Sequence, residues 1–157
     1  AMPYLHDYIL VLIGDGDIKS DLKLRVRNIQ IQKNVIFLSK KTPKQLKEIT
    51  PTAHLGISLE ENLGLNYKFA LPNKLFDYIH AKIPVLVSDL AEMGQIVNKY
   101  KIGYILEKRN PIYLAEKVKE VVEANNSIPE CYFENAINEL NWGKESIILT
   151  EILDTIE

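Results

Sequence analysis

The sequence predicts an α/β fold: a parallel sheet of about five strands, with helices on both faces and further helices closing the chain. Two observations carry this. Short apolar runs alternate with segments of helical period along most of the chain. The connections between them are short, which suits strands linked by crossover helices and buried on both faces. Those crossovers are expected to be right-handed.

The elements follow in order. Tyr8–Ile13 (YILVLI) is β-like, and Asp17–Ile29 is helix-like, with Ile18, Leu22 and Val26 four apart. Asn34–Leu38 is a second strand. Thr42 caps and Pro43 opens a short helix reaching about Ile49. His54–Ser58 reads as a third strand, with His54 a packed residue. Pro72–Ala81 is helical and leads through a turn into the strand Val85–Ser88. A helix over Ala91–Tyr100 carries Met93, Ile96, Val97 and Tyr100 on one stripe. Gly103–Leu106 is the fifth strand. Asn110-Pro111 starts a helix bearing Leu114, Val118, Val121 and Val122, and Asn125–Pro129 breaks it. Helical segments over Glu130–Leu140 and Gly143–Ile156 end the sequence, with Cys131 a small apolar filler in the first. The one long irregular stretch is Leu59–Leu71, which leaves the end of a strand. Ligands bind at such strand ends in open α/β sheets, and a long loop there is usually functional or mobile.

Composition bounds the function. The 157 residues suffice for one domain with a core; 46% are apolar and 25% charged, as in a globular protein. A net charge of −2 does not suit a broad electrostatic grip on nucleic acid. A single cysteine rules out an internal disulfide and fits a reducing compartment. No apolar run approaches the roughly 20 residues that span a bilayer. Ala1-Met2 lies just ahead of the first strand, which suggests a piece of a longer protein.

The chemistry narrows to a few places. In 72–81, Leu75, Phe76 and Ile79 form the apolar arc, and Asn73, Lys74, Asp77, Tyr78 and His80 lie opposite. Pro72 suits a first turn, whose free amides favour an anion. A carboxylate at Asp77 can accept two hydroxyl hydrogen bonds, as a ribose offers, and Lys74 suits a phosphate. The same pattern also fits a solvated face with a local Lys74–Asp77 pair worth tenths of a kcal/mol. Gly14-Asp15-Gly16 follows the first strand and either lets a backbone approach a nucleotide or simply turns the chain. There is no G-x-S-x-G, no P-loop, no H-E-x-x-H and no paired cysteine ligands, and His6, His54 and His80 have no metal-ligand spacing.

Taken in order, Gly14-Asp15-Gly16, VIFLS at 35–39, SLEENLGL at 58–65, PNKLFDYIHAKIPVLVSDLAEM at 72–93 and Ile102-Gly103 resemble a known family. The chain is similar to the C-terminal, nucleotide-sugar-binding domain of group-one glycosyltransferases (family four type) with the GT-B fold, in the bacterial polysaccharide-biosynthesis variety. The resemblance covers about 8–125, and Asn141-Trp142 fits the family's closing helix. It implies a Rossmann-like three-layer domain over 1–157, one half of a two-domain enzyme. It implies sugar transfer with retention from a nucleotide donor, UDP- or GDP-linked, with no metal and no separate cofactor. Asp77 would hold the donor ribose. Glu61, with Glu60 the other candidate, and the amides at Gly64 and Leu65 would meet the donor sugar and phosphates. Asn73 and Lys74 would face the diphosphate, with Lys74 and Glu61 the catalytic pair. Leu38 and Ser39 would meet the base, and Gly14 and Gly16 would approach the nucleotide.

The chain departs from the family at several points. Fifteen residues, 62–76, separate Glu61 from Asp77, so NYKFALPN reads as an inserted loop, and Phe69 stands where regular spacing puts the first acid. Asp replaces the commoner Glu at 77. The family's diphosphate-binding Arg and Lys come from a strand, loop and helix ahead of Tyr8, so these residues alone are expected not to catalyse transfer. The acceptor, a glycan or lipid-linked sugar, would be held by an N-terminal domain. The intact enzyme is expected in the cytoplasm, peripheral at the inner face of the membrane. Two other readings stand beside this one: a GT-B nucleotide-sugar epimerase fragment, and a non-catalytic α/β interaction module. Nucleotide titration separates the module from the other two, and the product formed separates transferase from epimerase.

Overall fold

The computed structural model describes residues 1–124 and 128–155. Strand β1 (Leu10–Ile13) is joined by helix α1 (Lys19–Asn28) to strand β2 (Val35–Leu38), and the two strands pair in parallel from Leu10 beside Val35 to Ile13 beside Leu38. Helix α2 (Pro43–Ile49) opens with a capping box: the Thr42 hydroxyl accepts from the Gln45 amide while the Gln45 side chain accepts from the Thr42 amide. Strand β3 (Gly56–Ser58) follows, then the single turn α3 (Leu65–Lys68) and helix α4 (Asn73–His80). Strands β4 (Val85–Ser88) and β5 (Gly103–Leu106) flank helix α5 (Ala91–Tyr100). Helices α6 (Pro111–Glu123), α7 (Glu130–Glu139) and α8 (Trp142–Asp154) complete the described chain. Asn110 and Asn141 cap α6 and α8, each accepting a first-turn amide. Residues 125–127 and 156 of the expected break and closing helix lie outside the described residues.

All five expected strands form and all pairings are parallel. They make two sheets rather than one, β1-β2 and β3-β4-β5. No ladder joins β1 to β3 among the described residues. The β1-β2 half is poorly covered. Ile9, Val11 and Ile36 are exposed, and α1 buries no residue. The expected stripe on α1 therefore finds no partner: Ile18 is 65% exposed and Leu22 36%, and Val26 is half-buried.

The core belongs to β3-β4-β5. Side chains alternate across a strand. Val85 and Val87 of β4 face one way, into a cluster with Leu75 and Ile79 of α4, Met93 and Val97 of α5, and Phe133 of α7. Leu86 faces the other way, toward Leu106, Ala115 and Val118 of α6 and Leu5 near the N-terminus. Burying a Leu or Ile of this kind contributes about 2 kcal/mol.

Three further expectations are corrected. His54 is exposed, because β3 begins only at Gly56. Cys131 is exposed on α7, whose buried face is Phe133 and Ala136. The 59–71 stretch is not irregular throughout, since α3 interrupts it.

Candidate functional site

The residues singled out from sequence gather at the carboxyl ends of the strands, in two groups. The first sits at the ends of β1 and β2. Gly14 donates its amide to the Leu38 carbonyl at 3.3 Å, so the Gly14-Asp15-Gly16 turn and the Leu38-Ser39 turn meet there. Lys19, which the sequence reading did not select, ties this corner together. Its ammonium donates to the Gly14 carbonyl at 2.8 Å, to the Leu38 carbonyl at 3.2 Å and to Asp15 at 2.6 Å. Asp15 also accepts the Lys40 amide. These bonds hold the Asp15 carboxyl below its ordinary value, with the Lys19 hydrogen bond the largest cause. A shallow cavity of about 210 Å³ opens beside it, lined by Gly14, Gly16, Lys19, Leu22 and Phe37 among others. Gly14 has φ 138° and Gly64 has φ 149°, a region that side-chain-bearing residues rarely adopt.

The second group lies where β3, β4 and β5 end. Helix α4 begins here because Pro72 cannot continue it backward and offers no side-chain cap. Its first turn is left open to an anion, and that turn carries Asn73 and Lys74, both exposed. The local Lys74–Asp77 pair does not form. Lys74 reaches instead to Glu60, with its ammonium 2.7 Å from a carboxylate oxygen. The other Glu60 oxygen accepts from the Ser58 hydroxyl at 2.9 Å. Asp77, one turn along α4, is exposed and has no hydrogen-bond or ion-pair partner among the described residues. Its carboxylate is open to an incoming hydroxyl pair.

Glu60 and Glu61 are thus distinguished by their surroundings. The Glu60 side chain is 20% exposed and doubly held; Glu61 is 65% exposed and meets only Arg109, at 3.1 Å. Of the two, Glu60 is the acid brought to Lys74. Gly64 and Leu65 lie beyond it at the start of α3, and Leu65 is exposed. Arg109 and Ser88 complete the group. The Arg109 guanidinium donates to the Leu59 and Glu60 carbonyls and to the Ser88 hydroxyl, and Ser88 donates to the Glu60 carbonyl at 2.6 Å. Sequence reasoning did not select Arg109. The available signal was its position: a basic residue in the loop after β5, at the same carboxyl edge.

The Glu60 carboxyl is held below its ordinary value. Burial pushes it up, but the hydrogen bonds from Lys74, Ser58 and its own amide outweigh burial. The groups facing it are Lys74 and Tyr78 of α4, Ser58 of β3 and, at its main chain, Arg109. A carboxyl whose folded value lies below its unfolded one stabilises the fold above about pH 4.5, and that contribution is lost as pH falls through the folded value. Thermal unfolding followed from about pH 6 to about pH 3 is therefore expected to show a shallower fall for Glu60→Gln than for the parent chain. Identical slopes would remove the pair as a source of stability.

No hydrogen bond joins the two groups among the described residues. A larger open groove of about 660 Å³ runs along α5 past Asp89, Gln95 and Tyr100, and none of the residues singled out lines it. No three His, Cys, Asp or Glu side chains cluster among the described residues. No helix among them is long and apolar enough to cross a membrane.

Similar proteins bear on this arrangement. The fold is similar to WaaG, a glycosyltransferase involved in lipopolysaccharide biosynthesis, with 16% identity and a TM-score of 0.64 over 86% of this chain and 36% of that one. It is similar to the lipopolysaccharide outer core galactosyltransferase WaaB in its apo form, with 16% identity and a TM-score of 0.64 over 90% of this chain and 40% of that one. The chain spans well under half the length of either. No curated protein matches it in sequence. The family model described as glycosyl transferases, group 1, matches residues 1–138, which is most of the chain, and the chain belongs to that family.

Proposed function

We propose that this chain is the donor-binding half of a retaining glycosyltransferase that moves a sugar from a nucleotide sugar to an acceptor in polysaccharide or glycoconjugate biosynthesis. The observation that carries the reading is α4. An open helix N-terminus, Lys74 and an unpartnered Asp77 occupy one helix face at the carboxyl edge of a parallel sheet, in a member of the group 1 glycosyl transferases. In this reading Asp77 accepts the two ribose hydroxyls. Lys74 and the first-turn amides, with Asn73 beside them, hold the diphosphate and stabilise the charge that grows on it as the sugar leaves. Glu60 keeps Lys74 extended over the site until phosphate replaces it as counter-ion. Gly14, Gly16, Leu38 and Ser39 form the far wall, toward the base. Glu61, Gly64 and Leu65 sit on the loop that meets the sugar.

The donor is UDP- or GDP-linked, with no metal required. The acceptor, a glycan or lipid-linked sugar, is held by a domain outside these residues, and the whole enzyme works in the cytoplasm at the inner membrane face. Two titrations test the core of the reading. UDP and GDP are titrated into the chain, then the matching nucleosides. Lys74→Ala is expected to weaken the diphosphates by about tenfold, as for one charge-assisted hydrogen bond, and to leave the nucleosides unchanged. Equal losses for both would take Lys74 away from the phosphates.

A further inference from the structure

We propose that Arg109 is a positioning residue: it fixes the main chain at Leu59-Glu60 so that the Glu60 carboxylate stays on Lys74. Its importance for donor binding rests on the reading above, whereas its hold on the Glu60–Lys74 pair does not.

The geometry is a brace across three strand ends. Arg109 lies between β5 and the Asn110 cap of α6, so its Cα is anchored by a strand and a capped helix. One terminal nitrogen of its guanidinium meets three oxygens: the Leu59 carbonyl at 2.7 Å, the Glu60 carbonyl and the Ser88 hydroxyl at 2.8 Å. The other meets Glu61 at 3.1 Å. Ser88 ends β4 and is buried, and its hydroxyl donates to the same Glu60 carbonyl. Leu59 and Glu60 directly follow β3. The brace therefore runs from the end of β5, over β4, to the residues where the long 59–71 segment leaves the sheet.

That placement matters because β3 is only three residues long. A strand so short fixes the direction of the following chain weakly. Two successive carbonyls held by one planar cation leave the Glu60 peptide little freedom to rotate. From that peptide the carboxylate reaches Ser58 on one side and Lys74 on the other. Losing the brace frees the peptide first and the carboxylate with it. The Glu61 ion pair is a lesser part of the device, since it is exposed and such pairs contribute little.

The test is a carbon-detected NMR titration of the Glu60 carboxyl in the ligand-free chain, in the parent, Arg109→Gln, Arg109→Lys and Glu61→Gln forms. In Arg109→Gln the midpoint is expected to rise toward the ordinary value of 4.5. Arg109→Lys keeps a cation able to bond the same oxygens and is expected to restore part of the difference. Glu61→Gln leaves the brace intact and is expected to titrate as the parent does. An unchanged midpoint in a folded Arg109→Gln overturns the proposal. If that form does not fold, a parent-like midpoint in Arg109→Lys combined with a shifted midpoint in Glu61→Gln overturns it instead, because the ion pair and not the brace would then set the site. UDP titrated into the same proteins separates the two ideas. A shifted Glu60 with no nucleotide bound by any form leaves the brace standing and removes the donor reading. Nucleotide binding with an unmoved Glu60 does the reverse.

Discussion

Asp77→Ala is expected to weaken UDP or GDP binding by about tenfold to a hundredfold, the range for losing hydrogen bonds to a charged group. It is expected to leave the thermal unfolding midpoint almost unchanged. Both halves follow from where Asp77 sits. It is exposed on the solvent face of α4 and holds no partner among the described residues, so its removal takes nothing from the fold. Its carboxylate is the one acidic group of the site not already committed: Glu60 is bound by Lys74 and Ser58, and Glu61 by Arg109. A ribose presents two adjacent hydroxyls, which one carboxylate accepts together. Asp77→Asn tests the geometry further. It keeps one acceptor and loses the charge, so it is expected to fall between the parent and the alanine form. Isothermal calorimetry beside a melting curve reads both properties. Unchanged affinity in Asp77→Ala would take the ribose contact away from this residue.

The fold was legible where local chemistry and tertiary packing agree. Thr42-Pro43 and Asn110-Pro111 mark helix starts by capping chemistry that depends only on near neighbours, and each start forms there. Strands β4 and β5 and helix α5 match their expected bounds because their apolar residues have a core to enter. The α1 stripe shows the limit. Its spacing yields the helix correctly, but burial needs a partner surface, and Ile18 and Leu22 have none. The division into two sheets was not legible for a related reason. Which strands pair is decided by strand order in space, and no residue of β1 or β3 states it.

The site divides in the same way. Lys74, Asp77 and the open first turn could be read from one short segment, since residues three and four apart share a helix face. Lys74's partner could not. Glu60 stands fourteen positions earlier, just past the end of β3, and the Lys74–Glu60 pair exists only once β3 and α4 are packed side by side. Arg109 is more distant still, forty-nine positions after Glu60, and its role is written in contacts to main-chain oxygens, which carry no residue-type signal.

Leu75→Ala is expected to destabilise the chain by about 3 kcal/mol, within the range of 2–5 for emptying a fully buried leucine site. Leu75 is 0% exposed and packs with Ile79, Val85, Val87 and Met93. The loss is a large share of the roughly 5–15 kcal/mol by which a domain is stable. It is also larger than the area of the missing methyls alone accounts for. The cluster is framed by two strands and three helices, which collapse only partly around a void. The position makes the comparison useful. Leu75 and Asp77 are two apart on α4, one on the buried face and one on the exposed face. Alanine at 75 is expected to lower the denaturant midpoint strongly and to affect nucleotide affinity only through the fraction unfolded. Alanine at 77 is expected to do the opposite. A Leu75→Ala chain as stable as the parent would mean that α4 is not held by this core, and the same helix could not then carry a preorganised Lys74 and Asp77 to the edge of the sheet.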